Sequence, residues 1–135
     1  MSVALSLGTL GSFALYLGSA VVLTGVFIAI YTWLTPWNEF ALIRAGNNAA
    51  AISFSGALLG FILPLSSAIA HSVGFSDMLI WGVVAMVVQI LVFLAERLQD
   101  GDLKRRIEAG EVAPAVKLGV LALGVGILNA ACMSY

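Results

Sequence analysis

Apolar residues run through this chain in four stretches that carry no charge, 1–38, 45–76, 78–95 and 118–135. None alternates apolar and polar positions as a barrel strand does; each is continuously apolar. A bilayer core takes about 20 mostly apolar residues per crossing helix, within roughly 17–25. The pattern therefore predicts an all-α integral membrane protein with four transmembrane helices, at about 9–33, 49–71, 78–95 and 113–132. Pro36 disfavours helix at Thr35, so the first span is expected to stop there, with Tyr31, Trp33 and Trp37 at the headgroup level.

The polar positions add direction. Twelve of the thirteen charged residues fall in two segments, Glu39 with Arg44 and then ten from Glu96 to Lys117; only Asp77 lies elsewhere. All six Lys and Arg residues belong to these segments, whereas the N-tail, the 71–77 connection and the C-tail have none. The positive-inside rule then places the charged segments in the cytosol and both termini on the periplasmic or external side. A cleavable signal peptide is not expected, because no basic residue precedes Arg44 and the first apolar stretch is too long. Composition agrees: 61% of residues are hydrophobic, mean hydropathy is +1.08, and a net charge of −1 argues against nucleic acid as a partner.

A shift of 64 residues aligns the two halves. Ile43, Ala45, Gly46, Ala49, Ala51, Leu59 and Gly60 fall on Ile107, Ala109, Gly110, Ala113, Ala115, Leu123 and Gly124. The single domain, 1–135, is expected to hold two two-helix repeats, about 9–71 and 78–135. Each repeat contains two crossings, so the units are parallel, related by an axis along the membrane normal.

Small residues mark helix faces. Gly11, Gly18 and Gly25 recur at spacing seven, close to two helical turns, and Gly82 opens a matching face on span three. Gly56 with Gly60 on span two, and Gly124 and Gly126 on span four, complete the expected packing positions. A bundle this small has more such faces than its interior can use, so a homo-oligomer is expected.

Polar side chains inside the bilayer are costly and are candidate functional positions. Here they are Ser53, Ser66 and Ser67 on span two, Gln89 on span three and Asn129 on span four. Pro64 frees the carbonyl of Gly60 and predicts a kink, with Ser66 and Ser67 as candidates to satisfy that carbonyl. Glu96 and Lys117 stand where they can pair or reach the interface.

Catalytic and metal-binding patterns are lacking. His71 is the one histidine, Cys132 the one cysteine, and no acid, base and nucleophile set recurs at useful spacing. The expectation is a non-enzyme without cofactor or metal. In segment 96–112, Leu103 and Ile107 at spacing four predict a short amphipathic helix on the membrane surface. Lys104, Arg105 and Arg106 there are candidate contacts for anionic lipid or for a peripheral cytosolic protein.

Several segments together resemble the YjfL-like bacterial inner-membrane proteins, domain-of-unknown-function family 350. They are Thr35-Pro36-Trp37-Asn38-Glu39, Gly46-Asn47-Asn48-Ala49-Ala50, Phe54-Ser55-Gly56-Ala57-Leu58-Leu59-Gly60, Pro64-Leu65-Ser66-Ser67-Ala68 and Asn129-Ala130-Ala131-Cys132-Met133. The resemblance covers nearly the whole chain. It implies a duplicated two-helix unit and, through relatives associated with PspA-like envelope-stress proteins, a role in membrane maintenance. It brings no activity, substrate or cofactor. The expected function is thus a membrane component acting by packing and by presenting its cytosolic loops. The alternative is a small channel or permease with a path lined by Gly25, Ser53, Gln89 and Asn129.

Overall fold

In a computed structural model, which describes residues 3–133, the four apolar stretches are helices. They are α1 (Val3–Leu34), α3 (Asn48–His71), α4 (Phe75–Gln99) and α6 (Val112–Cys132), each long and apolar enough to cross a membrane. Two short helices, α2 (Glu39–Arg44) and α5 (Leu103–Glu108), join them in pairs, and no strand occurs among the described residues. Met1, Ser2, Ser134 and Tyr135 lie outside the described residues.

The helices overrun the apolar stretches that predict them. α4 begins at Phe75, before Asp77, and continues past Glu96 and Arg97, with the Asp100 N–H still bonded to the Glu96 carbonyl at 3.0 Å. A charge ends an apolar span, but it leaves the i→i−4 backbone bonds intact.

The two short helices correspond in position but not in their N-terminal caps. Asn38 caps α2 by accepting the Ala41 N–H at 3.2 Å, whereas Asp102, in the corresponding place before α5, makes no side-chain cap bond. Each short helix ends on a glycine with positive φ, Gly46 at 85° and Gly110 at 79°, a conformation that a Cβ disfavours. The Gly46 N–H bonds the Ile43 carbonyl and the Gly110 N–H bonds the Ile107 carbonyl, both at 3.0 Å. Starts, ends and glycines of the two helices are all separated by 64 residues.

Leu103 and Ile107 are fully buried in the protein. The surface helix expected at 96–112 is therefore present, but its apolar pair seals the end of the bundle instead of facing lipid. The tight turn at Gly110 folds α5 back onto α6 and α3, and Asn47 fixes it there by donating to the Ile107 carbonyl at 2.8 Å.

α3 is the hub and packs on every other helix, most extensively on α6. Lipid tails match leucine in polarity, so close backbone approach drives such pairing. Gly56 meets Gly119, and Gly60 meets Ala122 and Gly126; a Cβ on Gly56, Gly60 or Gly126 would fall within 3 Å of facing backbone. α1 lies against α3 and α4 through its second half. There Phe27 stacks on Phe61 with centroids 4.6 Å apart, and Tyr31 meets Phe93 edge-on at 5.4 Å. Toward its start, α1 touches the bundle through Tyr16 on Phe75, and its outward face is exposed.

Candidate functional site

A buried polar side chain near the middle of α4 bridges its neighbours. Gln89 is 2% exposed, and its amide nitrogen donates to the Gly60 carbonyl at 2.9 Å and to the Ala122 carbonyl at 3.0 Å. Pro64 has no N–H to give Gly60, so Gln89 supplies the missing donor from another helix. Ser66 and Ser67, the candidates from sequence, are not used for this. Ser67 donates to the Ala130 carbonyl at 3.0 Å and so ties α3 to α6, while Ser66 is exposed in a groove between α1 and α3. Ser53, fully buried, donates to the Ala50 carbonyl of its own helix. The Gln89 carbonyl oxygen and the Asn129 amide nitrogen are buried without hydrogen-bond partners.

These residues do not converge on one channel-like space. Gly25 lines the groove between α1 and α3, about 560 Å³, together with Thr24 and Ser66, whereas Gln89 is enclosed where α3, α4 and α6 meet. Gly11, Gly18 and Gly25 have nothing of the chain within 4 Å of a would-be Cβ, nor does Gly124. Gly82 faces the side chains of Leu23 and Leu65.

Charge gathers at one end of the bundle. Arg106 is shared by Asp100 at 2.8 Å and Glu111 at 3.2 Å, which ties both flanks of α5 together. Arg105 pairs with Asp102 at 3.2 Å on the surface, and Lys104 is exposed. Of the three basic candidates, Lys104 and Arg105 thus face outward while Arg106 holds the loop. Glu96 and Lys117 are 3.5 Å apart, the carboxylate buried and the ammonium exposed.

Beside this lies a site that sequence reasoning missed. Glu39 is 1% exposed; its Oε1 accepts the Trp37 indole N–H at 2.8 Å, and its Oε2 has no hydrogen-bond partner. Burial pushes its carboxyl up to about 7, outweighing the hydrogen bond from Trp37 that lowers it. Trp37 is held edge-on against Phe93 of α4, 5.9 Å between centroids, which fixes the indole that holds the acid. Above it runs a groove of about 460 Å³ lined by Thr32, Trp33, Pro36, Trp37, Asn38 and Glu39. The available signal is the Asn38 cap placed before an acid and four apolar or small residues, which marks a short helix between the first two spans.

Among the described residues, no three His, Cys, Asp or Glu side chains gather as a metal site. His71 bonds Ser67 within its own helix, and Cys132 is free and exposed.

Fold and polar interior define a polytopic helical membrane protein whose tightest helix crossing is made by glycines and bridged by a glutamine. The chain belongs to the Domain of Unknown Function family DUF350, which matches residues 4–133. It is 41% identical to the UPF0719 inner membrane protein YjfL of Escherichia coli K12 over 129 residues, 96% of this chain and 98% of that one. The YjfL of Escherichia coli O157:H7 matches to the same extent. No solved structure matches.

Proposed function

We propose that this protein is a non-enzymatic, oligomeric component of the bacterial inner membrane that contributes to envelope maintenance. It acts by packing in the bilayer and by holding its charged end ready for lipid headgroups or a peripheral cytosolic protein. The observation that carries this reading is the use made of Gln89. Both hydrogen bonds from its amide nitrogen go to backbone carbonyls of two neighbouring helices, so this buried polar group joins helices instead of lining a route. Support for association comes from α1, where Gly11, Gly18 and Gly25 present an uncovered small-residue face. Support for docking at the charged end comes from Lys104 and Arg105, which point outward on a loop that Arg106 makes rigid.

The same reading treats residues 9–71 and 78–135 as two parallel units. The shared 64-residue offset of the short helices and their positive-φ glycines supports it. The positive-inside rule supports a cytosolic charged end.

The test is crosslinking in native membranes. With Cys132→Ser as background, Gly18→Cys is expected to give a disulfide-linked dimer, and a photocrosslinker at Lys104 to capture a lipid or a peripheral protein. Monomer alone in the first arm removes the oligomer. Ion or solute flux through proteoliposomes that is abolished by Gln89→Leu would replace the whole reading with the channel.

A further inference from the structure

Two acids are buried among the described residues, Glu39 and Glu96. Glu96 has Lys117 at 3.5 Å, whereas no described Lys, Arg or His forms an ion pair with Glu39. A buried carboxylate demands a counter-charge or a proton. An acid is not general to such a position. At the matching first position of α5, a helix of the same length with the same closing glycine, stands Leu103, 3% exposed.

The surroundings narrow what meets it. Oε1 is occupied by the Trp37 indole N–H, and Oε2 has no donor. The adjoining groove is walled by two indoles, Trp33 and Trp37, with the hydroxyl of Thr32 and the amide of Asn38 at its sides. A single carboxylate is too few ligands for calcium, which takes six to eight oxygens. An inorganic anion is repelled. An ammonium group satisfies both walls at once, as a hydrogen-bond donor to the carboxylate and as a cation over an indole face. Trp33, 81% exposed, and Asn38, also exposed, form the outer rim of the groove, and the covered Oε2 lies beneath it.

We infer that the groove beside Glu39 binds a primary ammonium group, carried either by an aminophospholipid headgroup or by a free amine. A primary ammonium is preferred to a quaternary one because only the former has an N–H for Oε2. The inference is independent of oligomerisation and of any partner at Lys104.

The experiment follows the fluorescence of Trp33 and Trp37 in the full chain, with Trp81→Phe as background. The chain is placed in nanodiscs of phosphatidylglycerol, and then of phosphatidylglycerol with increasing phosphatidylethanolamine or phosphatidylcholine. A parallel arm adds free ethanolamine to phosphatidylglycerol discs at constant pH. The expected result is a saturable shift with phosphatidylethanolamine or ethanolamine, with a midpoint on the order of tenfold higher for the choline lipid. Whichever ethanolamine source saturates identifies the ligand as lipid or free amine. Glu39→Gln should abolish the shift, as should Glu39→Leu, which copies the residue at the matching place in α5. No saturation with either source, an equal response to choline lipid, or an undiminished response in a folded Glu39 variant would overturn the proposal. So would a shift produced by pH alone that amine does not alter, since a proton then fills the role.

Discussion

Pro64 and Gln89 form a matched pair. The proline withholds one donor from the Gly60 carbonyl, and the glutamine returns one from a helix 29 residues away in sequence. Gln89→Leu should lower stability by on the order of 1–2 kcal/mol, read as a lower unfolding midpoint in detergent. Pro64→Ala restores an N–H four residues after Gly60. The double variant should therefore lose less than the two single losses combined, a coupling that a double-mutant cycle measures. Glu39 gives a second prediction at this scale. Its carboxyl is raised from 4.5 to about 7, so the folded chain holds a proton that the unfolded chain has released between those values. Stability should be highest below that window, fall as pH rises through it and level off above, by on the order of 3 kcal/mol in total. Glu39→Gln should flatten the unfolding midpoint against pH over the same range. What the sequence disclosed of these residues was unequal. The freed Gly60 carbonyl follows from Pro64 alone, but its partner depends on how α4 lies against α3, and nearness in the chain pointed to Ser66 and Ser67 instead. The charge of Glu39 was plain, while its burial depends on the Trp37 side chain folding back under Phe93.

Among the elements, the four long helices were legible because bilayer thickness imposes a length and an apolar composition that few other structures need. The short helices were harder to read. α5 was visible from Leu103 and Ile107 at spacing four, yet the same pattern suits a membrane surface or a protein interior, and only the turn at Gly110 decides between them. The glycines divide in the same way. Gly56, Gly60 and Gly126 sit where α3 and α6 touch backbone to backbone, whereas a Cβ added at Gly124, two residues from Gly126, would have nothing within 4 Å. Identity and spacing do not separate these cases; helix rotation does. Gly126→Val, which drives a side chain into Gly60, should cost about 1–3 kcal/mol or prevent folding. Gly124→Ala should stay within ~0.5 kcal/mol of the parent in the same thermal assay.

For the whole molecule, the distribution of charge sets a direction that no internal packing contact encodes. α2, α5 and all six basic residues are at one end, while the His71–Phe75 turn and the end of α6 are at the other, joined by the Ser67 bond to Ala130. Arg106 is engaged with Asp100 and Glu111, yet the rule counts Lys and Arg and gives little weight to the acids beside them, so the pairing does not weaken the bias. Neutralising Lys104 and Arg105 would still leave Arg44, Arg97, Arg106 and Lys117 against none, and should not invert the protein. The native cysteine makes the orientation measurable. Cys132 is exposed near the end of α6, opposite the charged end. A membrane-impermeant maleimide added to spheroplasts should label it in the wild type and in the Lys104→Gln, Arg105→Gln variant alike. Lys104→Cys in a Cys132→Ser background should be labelled only after the membrane is opened. The opposite pattern in both chains would place the charged end outside, and with it the face proposed for a cytosolic partner.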